Sequence, residues 1–586
     1  MNPTDKSIQA VWCELIAEEL ARLSTPSICM SSGARSGLLA VALARHPQLE
    51  CVMHVDERAS AFYALGLARA TERPAVWVTT SGTAVANGLP AVVEASQDGI
   101  PMLLLTADRP PELRDTGANQ TITQVGLFSP YTRWHADIPC PDAAISPAYI
   151  LSVLDQANAR ACGPNPGPVH LNLMFREPLS AVAGNLDLED YLNPVQRWLE
   201  GHAPWSRLVP ARLEMAASER DALCERIMKA SNAVLCVGRF QRQEEREAAY
   251  ELAQQLDVPV IADIGSGLRL DASMLQLIPY ADSVLLGTTD FAPDLILHVG
   301  GPVVSKRIQA WMDSQSAPVV RIKTHPRKED PHHRADWVVE GELTAWVRDI
   351  SRREVSSPPA ADLHAWRQAS TKVQAILEAH EQSRDDLDEV FVAAAVARLR
   401  PSRFGLFLGN SMPIRDMDMF AGVQEDPGPV VTNRGASGID GCLSTACGWA
   451  RGAQQPLIAV LGDLALLHDL TALDYVRRSP VPVIVVIINN NGGGIFSFLP
   501  AATEVEEELF EECFGTPHNM DFSAAAQQFG VAYACPQTRR EFEQTLQSAI
   551  TEERSLLIEV RADRAGNVEV HRQLQAQIVA VLQGEP

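Results

Sequence analysis

Short apolar runs alternate with helix-length amphipathic stretches along most of this chain, and this alternation limits the folds that it can adopt. In the first third, the apolar runs predict buried strands at 51–55, 75–80, 101–107 and 168–173. Amphipathic stretches between them, such as 60–71 and 83–95, predict helices. Strands that alternate with helices of this length form parallel β-α-β units. The sequence therefore predicts an α/β fold whose parallel sheets are flanked by helices.

Two breaks divide this alternation into three blocks. The first break, at 192–213, is rich in Pro, Trp and polar residues, and the second covers 353–362. Breaks of this composition are typical of linkers. The later blocks carry predicted strands at 232–238, 258–263, 295–301 and 318–323, then at 403–411, 429–433, 456–463 and 481–490. We therefore expect three α/β domains, which cover 1–195, 210–352 and 380–575.

The charge balance and the cysteines argue against several classes of protein. The 586 residues include 73 Asp and Glu but 49 Lys and Arg, so the formal net charge is −24 at pH 7. An acidic surface repels phosphate backbones and anionic membranes, so we expect neither nucleic acid nor a membrane as a partner. The 11 cysteines contain no C-x-x-C pair, and the N-terminus lacks the cationic start and apolar run of a signal peptide. These features predict a cytoplasmic protein with reduced thiols.

A Gly-Asp pair and an Asn-rich run end two consecutive predicted strands of the third block. Asp463 ends one strand, and Asn490, followed by Gly492, ends the next strand 27 residues later. Ligands of open α/β sheets bind at the carboxyl ends of strands, and a carboxylate, an amide oxygen and a backbone carbonyl suit Mg²⁺. Two unrelated turns would explain each pair alone. Their separation by one helix and one strand favours a joint site for Mg²⁺ and phosphate.

This arrangement resembles the motif with which thiamine-diphosphate enzymes hold Mg²⁺ and diphosphate. The resemblance implies that Asp463, Asn490 and the carbonyl of Gly492 bind Mg²⁺ (or Mn²⁺), although Leu464 stands where the general motif has a third glycine. Such enzymes also carry a glutamate after an early strand, whose carboxylate activates the aminopyrimidine of the cofactor. Glu57, which follows the strand predicted at 51–55, matches that position. Helix capping is the alternative explanation for this carboxylate.

Six longer segments resemble one family of these enzymes, the 2-succinyl-5-enolpyruvyl-6-hydroxy-3-cyclohexene-1-carboxylate synthases of menaquinone biosynthesis (MenD). They include TADRPPEL in the first block and NRGASGIDG in the third, and they follow the family order. The resemblance covers nearly the whole chain, and Gly-Asp-Leu is the usual form of the motif in this family. The six segments lie at 78–95, 103–128, 299–311, 409–416, 432–446 and, with internal gaps, 462–500.

The resemblance implies both an activity and an architecture. The family is a group of thiamine-diphosphate-dependent transferases that decarboxylate 2-oxoglutarate and add the carbanion equivalent of succinic semialdehyde to isochorismate in conjugate (1,4) fashion. The implied fold is pyruvate-oxidase-like, with a pyrimidine-binding domain, a central Rossmann-like domain and a diphosphate-binding domain. It also implies a homodimer or homotetramer in which Glu57 and Asp463 of one site come from different subunits.

The site residues of the family can be carried over to matching positions in this sequence. Glu57 and Ile439, which is expected beneath the bent cofactor, are the implied catalytic residues. The implied cofactor contacts are Glu57, Ser81, Gly82, Ile439, Asp463, Leu464, Asn490, Gly492 and Ile495. The implied substrate-binding residues are Arg35, Arg109, Asn119, Gln120, Lys306, Arg307, Ser411, Arg415, Arg434, Phe496 and Leu499. Arginine suits a bidentate grip on the carboxylates of the two substrates. Taken singly, most of these residues are better explained by a solvated surface charge or a salt bridge, whereas for Arg109, at a strand end, the substrate role competes with that explanation.

Two positions depart from the family pattern, and two other functions remain open. Ala34 replaces a usual serine, so one substrate hydrogen bond is either lost or supplied by another group, and Met174 replaces a usual proline, with only a local effect on packing expected. One alternative is an acetohydroxyacid-synthase-like or oxalyl-CoA-decarboxylase-like enzyme, which a flavin or nucleotide bound to the middle block would favour. The other is a catalytically silent protein that keeps the fold. The presence of Glu57, Asp463 and Asn490 argues against that second alternative.

Overall fold

The computed structural model describes residues 6–25, 27–31, 33–181, 188–209, 211–287, 291–352 and 362–584. The described residues fall into two compact units. The first unit covers 1–211 and 433–454, and the second covers 212–432 and 455–586. Ser32 and all but the last residue of the predicted break at 353–362 lie outside the described residues.

A parallel sheet forms the centre of the first unit. Its described strands are β1 (Ser27–Ser31), β2 (Glu50–Met53), β3 (Ala75–Thr79), β4 (Met102–Asp108), β5 (Trp134–Ile138) and β6 (Pro168–Met174). Their order across the sheet is β2-β1-β3-β4-β6-β5, and every pair is parallel. The four strands predicted here are confirmed. Strands β3, β4 and β6 are buried along their whole length, which is why their sequences are largely apolar.

Helices flank this sheet, and one predicted helix is divided in two. The stretch predicted as one helix over 83–95 breaks at Gly88, because Pro90 has no N–H with which to continue the hydrogen bonding of the preceding turn. Part of the predicted linker at 192–213 is helical, and its Trp198 is buried in the core of this unit. The described helices up to residue 211 are α1 (Ile8–Arg22), α2 (Gly37–Arg45), α3 (Glu57–Thr71), α4 (Thr83–Asn87), α5 (Leu89–Asp98), α6 (Ala148–Ala161), α7 (Leu188–Leu192) and α8 (Gln196–Glu200).

Two parallel sheets form the second unit in its described part. The first contains β7 (Ala233–Val237), β8 (Val260–Ala262), β9 (Leu295–Val299), β10 (Val319–Lys323) and β11 (Trp337–Glu340), in the order β11-β10-β9-β7-β8. The second contains β12 (Gly405–Leu408), β13 (Val430–Thr432), β14 (Leu457–Gly462), β15 (Val483–Asn489), β16 (Tyr533–Ala534) and β17 (Leu556–Arg561), in the order β13-β12-β14-β15-β17-β16. Each of the eight strands predicted in these blocks is confirmed. The predicted α/β architecture of three parallel sheets flanked by helices is therefore correct.

The remaining helices complete the layers around these sheets. The helix predicted over 466–478 begins earlier, at Asp463, and is interrupted at Asp469, whose backbone is not helical. None of the helices in the described ranges combines the length and apolar composition needed to cross a membrane. The helices are α9 (Ala217–Lys229), α10 (Gln243–Leu256), α11 (Ala281–Gly287), α12 (Lys306–Ser314), α13 (Leu343–Arg352), α14 (Leu363–Ser383), α15 (Glu389–Leu399), α16 (Met412–Phe420), α17 (Cys442–Ala453), α18 (Asp463–His468), α19 (Leu473–Arg478), α20 (Ala501–Glu504), α21 (Glu507–Phe510), α22 (Ser523–Phe529), α23 (Arg539–Thr551) and α24 (Arg564–Gln583).

A close helix crossing explains why 433–454 belongs to the first unit. Helix α17 packs against α3 where both helices carry small residues. A Cβ atom at Gly66 would lie 2.1 Å from the backbone oxygen of Thr445, and one at Gly448 would lie 2.1 Å from that of Tyr63. Only glycine permits such an approach of two helix backbones. The crossing holds the loop before α17 in the same unit as the start of α3.

Candidate active site

The carboxyl ends of β14 and β15 place Asp463 and Asn490 on neighbouring strands. The two strands pair in parallel, with Gly462 opposite Ile488, so both side chains emerge at one edge of the sheet. Asp463 is buried, and the N–H of Gly492 donates to its Oδ2 at 2.8 Å. The structure thus brings together the three residues for which the sequence predicts metal ligation. The ligand roles themselves stay a prediction.

The donor set at this edge fits a divalent cation of the Mg²⁺ type. Asn490 is buried, and its Oδ1 has no hydrogen-bond partner among the described residues. The described residues contain no group of three or more His, Cys, Asp or Glu side chains that could hold a metal ion. An ion here would depend on the Asp463 carboxylate, the Asn490 amide oxygen, a backbone carbonyl and the phosphates of a ligand. Hard oxygen donors of this kind are what Mg²⁺ prefers.

Glycines keep space open around these side chains. A Cβ atom at Gly462 would meet no heavy atom within 4 Å, so open space adjoins Asp463. Gly492 has a φ of +132°, and a Cβ atom there would lie 1.9 Å from the backbone oxygen of Gly515. A side chain at either position would fill or distort the region where a diphosphate is expected. The cradle therefore fits the predicted cofactor as well as the metal ion.

Two further side chains contact the predicted metal ligands, and the sequence analysis missed both. His518 Nδ1 accepts the N–H of Met520 at 3.0 Å, so Nε2 carries the proton and donates to Asp463 Oδ2 at 3.0 Å. Glu389 Oε1 accepts from Asn490 Nδ2 at 2.8 Å. Burial, followed by repulsion from Asp416, raises the pKa of Glu389 to about 8. This excess of buried carboxylates favours a cation at the site.

Glu57 lies at the start of α3 without capping it. Asp56 is the cap, because its side chain accepts the N–H groups of Arg58 at 2.9 Å and Ala59 at 3.2 Å. The half-buried Glu57 carboxylate instead accepts from Asn87 Nδ2 at 3.3 Å. The capping explanation therefore applies to Asp56, and the Glu57 carboxylate is available for another interaction. Its role in cofactor activation stays a prediction.

Polar side chains from 119–124 contact the loop that carries the predicted cofactor contacts Ser81 and Gly82. Gly82 has a φ of +88°, and its N–H donates to Gln124 Oε1 at 2.9 Å. Gln120 Nε2 donates to the backbone oxygen of Ser81 at 2.9 Å, whereas Asn119 is exposed. Gln124 is buried and was missed by the sequence analysis, since nothing in its spacing marks it. The segment around 119–124 is thereby fixed on the loop after β3.

Two buried arginines in the first unit have charges that interact. Arg35 and Arg109 are 6% and 8% exposed, and burial followed by the charge of Arg35 lowers the pKa of Arg109. Arg109 donates to the hydroxyl of Ser81. Arg35 donates to the backbone oxygen of Phe175 at 3.0 Å and to Glu177 Oε1 at 3.1 Å. Two buried guanidinium groups whose charges interact are cations suited to binding a carboxylate ligand.

The other predicted substrate residues lie in less concentrated positions. Ser411, with a φ of +73°, precedes α16, and Arg415 on the first turn of that helix donates to its backbone oxygen. Burial lowers the pKa of Arg415. Lys306 and Arg307 are the first two residues of α12. Lys306 is exposed, and Arg307 is engaged by the carboxylate and the backbone oxygen of Asp282.

The loop before α17 is fixed on α5. Glu94 accepts the N–H of Gly435 at 2.8 Å and that of Ala436 at 2.6 Å. This anchor is buried, and it holds the half-buried Arg434 and Ile439 in the first unit. Burial, followed by repulsion from Asp98, raises the pKa of Glu94.

The short turn after β15 carries the predicted apolar residues. Ile495 and Phe496 are half-buried, and Leu499 is 39% exposed. The ring of Phe496 lies 5.7 Å from that of Phe514, centroid to centroid. Leu464, the second residue of α18, is also half-buried. These four positions belong to the second unit, together with Asp463 and Asn490.

Comparison with protein-family models gives three matches that follow each other along the chain. The N-terminal TPP binding domain of thiamine pyrophosphate enzymes matches 12–127, and the middle domain of thiamine pyrophosphate enzymes matches 189–408. The C-terminal TPP binding domain matches 417–560. Glu57, Ser81 and Arg109 fall in the first match, and Asp463 and Asn490 fall in the third.

Curated relatives match nearly the whole chain. A protein of Rubrobacter xylanophilus is 44% identical over 96% of this chain and 97% of its own length. Proteins of Salinibacter ruber and Chlorobium limicola are 42% and 39% identical, each over 98% of this chain and over 97% and 98% of their own lengths. All three are named 2-succinyl-5-enolpyruvyl-6-hydroxy-3-cyclohexene-1-carboxylate synthase. With this identity over the full length, the chain belongs to the family of thiamine-diphosphate enzymes that bears this name.

Proposed function

We propose that this chain is a C–C bond-forming transferase of menaquinone biosynthesis. It decarboxylates 2-oxoglutarate and adds the succinic semialdehyde unit to isochorismate in conjugate (1,4) fashion, which gives 2-succinyl-5-enolpyruvyl-6-hydroxy-3-cyclohexene-1-carboxylate. The observation that carries the substrate assignment is the pair of buried arginines, Arg35 and Arg109, in a protein of net charge −24. Both substrates are dicarboxylates, and an acidic protein needs a local concentration of cations to bind them.

The cofactor assignment follows from the edge formed by β14 and β15. Thiamine diphosphate, when bound with Mg²⁺ or Mn²⁺, supplies an electron sink for decarboxylation. Asp463, Asn490 and the carbonyl of Gly492 would hold the metal ion and the diphosphate. Glu57 would hold a proton at the aminopyrimidine nitrogen N1′. Ile439 would support the cofactor from below, and Ser81, Gly82, Leu464 and Ile495 would contact it.

The proposed substrate residues have two roles: cationic side chains bind carboxylates, and apolar side chains exclude water. Arg35 and Arg109 would bind a substrate carboxylate, because both side chains are buried and the charge of Arg35 acts on Arg109. Phe496 and Leu499 would form an apolar wall that excludes water and so limits premature protonation of the reacting carbon. The other residues proposed to contact the substrates are Asn119, Gln120, Lys306, Arg307, Ser411, Arg415 and Arg434.

We also propose that a homodimer is the smallest active form. A homotetramer would contain two such dimers. Glu57 belongs to the first unit of the chain and Asp463 to the second, and the family resemblance implies that one site takes them from different subunits. We also propose the domain boundaries 1–195, 210–352 and 380–575, and a cytoplasmic location. The location is supported by the cysteines, all of which are free thiols.

The test is a reaction with defined components. Purified protein, thiamine diphosphate, Mg²⁺ and 2-oxoglutarate are mixed with isochorismate, and the isochorismate absorbance is followed while the product is identified by mass spectrometry. We expect isochorismate to be consumed only when 2-oxoglutarate and the cofactor are both present. Consumption of pyruvate or oxalyl-CoA in place of 2-oxoglutarate would instead support the alternative enzymes. A complete lack of turnover with bound cofactor would support the catalytically silent protein.

A further inference from the structure

A single buried hydrogen bond determines how the amide of Asn490 is oriented. Asn490 Nδ2 donates to Glu389 Oε1 at 2.8 Å, and both side chains are buried. Neither Glu389 Oε2 nor Asn490 Oδ1 has a hydrogen-bond partner within the described ranges. The Nδ2–Oε1 hydrogen bond therefore links the two side chains. The other side-chain oxygen of each residue forms no hydrogen bond with a described residue.

The bond allows one orientation of the amide. Glu389 presents an acceptor oxygen whether or not its other oxygen carries a proton, so the amide nitrogen of Asn490 faces it in either state. Gly494 lies close to the amide nitrogen, since a Cβ atom there would lie 2.5 Å from Asn490 Nδ2. The amide oxygen is left as the unused acceptor. When the facing oxygen of Glu389 carries no proton, reversal of the amide would place two oxygens in contact and bury an unpaired N–H.

The backbone that carries Glu389 is itself fixed. Glu389 is the first residue of α15, and the cap Asp388 accepts the N–H of Phe391 at 2.7 Å. The other oxygen of Asp388 accepts from Arg539 at 2.6 Å. Arg539 also donates to the backbone oxygen of His380 at 2.7 Å. Glu389 thus stands on a rigid helix terminus, from which it can hold a neighbouring side chain in place.

We propose that Glu389 is a positioning residue that keeps the oxygen of Asn490 directed at the divalent cation. The inference rests on the metal site of the proposed function and extends it to a residue outside the metal-ligand set. Glu389 acts through Asn490 and needs no contact with the cation or the substrates. Partners that orient a metal ligand in this way commonly change metal affinity 10–100-fold when they are removed.

The experiment measures metal affinity rather than turnover. Mn²⁺ is titrated into the full-length protein at saturating thiamine diphosphate, and free Mn²⁺ is followed by electron paramagnetic resonance. In Glu389→Met, which removes the acceptor at similar volume, we expect the Kd for Mn²⁺ to rise about tenfold or more. Glu389→Gln keeps an acceptor oxygen, so this variant should retain most of the wild-type affinity for Mn²⁺. Val392→Ala, which removes buried methyl groups from the same helix, should lower thermal stability while Mn²⁺ affinity stays within about twofold.

A double-mutant cycle shows whether Glu389 acts through Asn490. In the Asn490→Ala background, Glu389→Met should change the Kd for Mn²⁺ by less than about twofold, since the amide that Glu389 orients is already absent. An equal loss in both backgrounds, or unchanged Mn²⁺ affinity in Glu389→Met, would overturn the inference while leaving the metal site in place. Failure of the wild-type protein to bind Mn²⁺ with thiamine diphosphate would overturn the inference together with the proposed cofactor role.

Discussion

Asp56 and Glu57 are adjacent carboxylates at the start of α3, and only Asp56 caps the helix. Glu57→Gln should therefore leave α3 intact while turnover falls about 10²–10⁴-fold, the usual effect of removing a group that transfers protons. Steady-state kinetics measures the loss, and calorimetry in the presence of Mg²⁺ should show the affinity for thiamine diphosphate retained. The matched control is Asp56→Asn, which keeps a capping side chain and should keep turnover. Near-normal turnover in Glu57→Gln would contradict the activation role.

The proposed binding of substrate carboxylates by Arg35 and Arg109 can be tested with a substitution that retains the positive charge. Arg109→Lys keeps the positive charge but loses the planar fork, so the KM for at least one of the two dicarboxylates should rise about tenfold. Steady-state kinetics with each substrate varied in turn measures the change. Arg176→Lys is the control, because Arg176 is an exposed arginine paired with Glu112. Unchanged KM values for both substrates in Arg109→Lys would contradict the proposed role of Arg109 in substrate binding.

The sequence predicted that Asp463 and Asn490 lie close together, because one helix and one strand separate them and neighbouring parallel strands end at the same edge of a sheet. Glu389 and His518 could not be found in that way. Glu389 begins a helix, where an acidic residue is expected for reasons of the helix dipole alone. His518 lies in a segment without strand or helix periodicity, 55 residues after the aspartate that it contacts. Contacts made through tertiary packing leave no local signal.

The crossing of α3 and α17 predicts an asymmetry between glycine substitutions. Gly66→Ala and Gly448→Ala each place a Cβ atom 2.1 Å from a backbone oxygen, which cannot move without shifting a helix. Each should destabilise the protein by about 1–3 kcal/mol, as overpacking does elsewhere. Gly37→Ala is the control, since nothing lies within 4 Å of its Cβ position in α2 and the change reduces only chain entropy. Thermal unfolding of the three variants tests this; equal melting temperatures would contradict the close crossing.

Most of the strands that the sequence predicts are largely apolar and, like β3 and β15, are buried along their whole length. Strand β5 was missed because its residues alternate between half-buried and exposed, so it lacks such a run. Strand β16 has two residues and offers no pattern. The division of 83–95 into α4 and α5 required attention to Pro90 rather than to periodicity. Burial along the whole strand therefore made many strands predictable, although β1 and β17 are also largely buried and were not predicted.

A buried acid pair makes the stability of the first unit depend on pH. The carboxyl groups of Glu19 and Asp155 are hydrogen-bonded to each other, and burial followed by this bond raises the pKa of Glu19 to about 8. Glu19 also accepts from Trp198 and from the backbone of Trp205, and Asp155 accepts from the backbone of Ser206. The folded chain keeps the shared proton up to about pH 8, whereas the unfolded chain releases it near 4.5. The free energy of unfolding contributed by the pair therefore falls as pH rises through this interval.

Asp155→Asn should reduce that dependence, because it removes the acidic partner while the burial of Glu19 remains. An asparagine amide can donate to Glu19 without proton uptake, and its oxygen can still accept from Ser206. Urea unfolding followed by tryptophan fluorescence at pH 6 and pH 8.5 should show a smaller drop in midpoint than in the wild-type protein. Glu200→Gln, at an exposed carboxylate of α8, should reproduce the wild-type drop. An undiminished drop in Asp155→Asn would mean that other groups cause it.

The proposed sharing of one site between two chains has a quantitative consequence for mixed dimers. Glu57→Gln and Asp463→Ala should each leave at most about 1% of wild-type turnover when expressed alone. In a dimer of one variant with the other, one site would carry both substitutions and the second site neither. Random pairing makes about half of the dimers mixed, so co-expression should restore about a quarter of wild-type turnover. Steady-state assays on the co-expressed protein measure this, with each variant alone as the control. If both residues of a site came from the same chain, every site would carry one substitution, and the co-expressed protein would stay inactive.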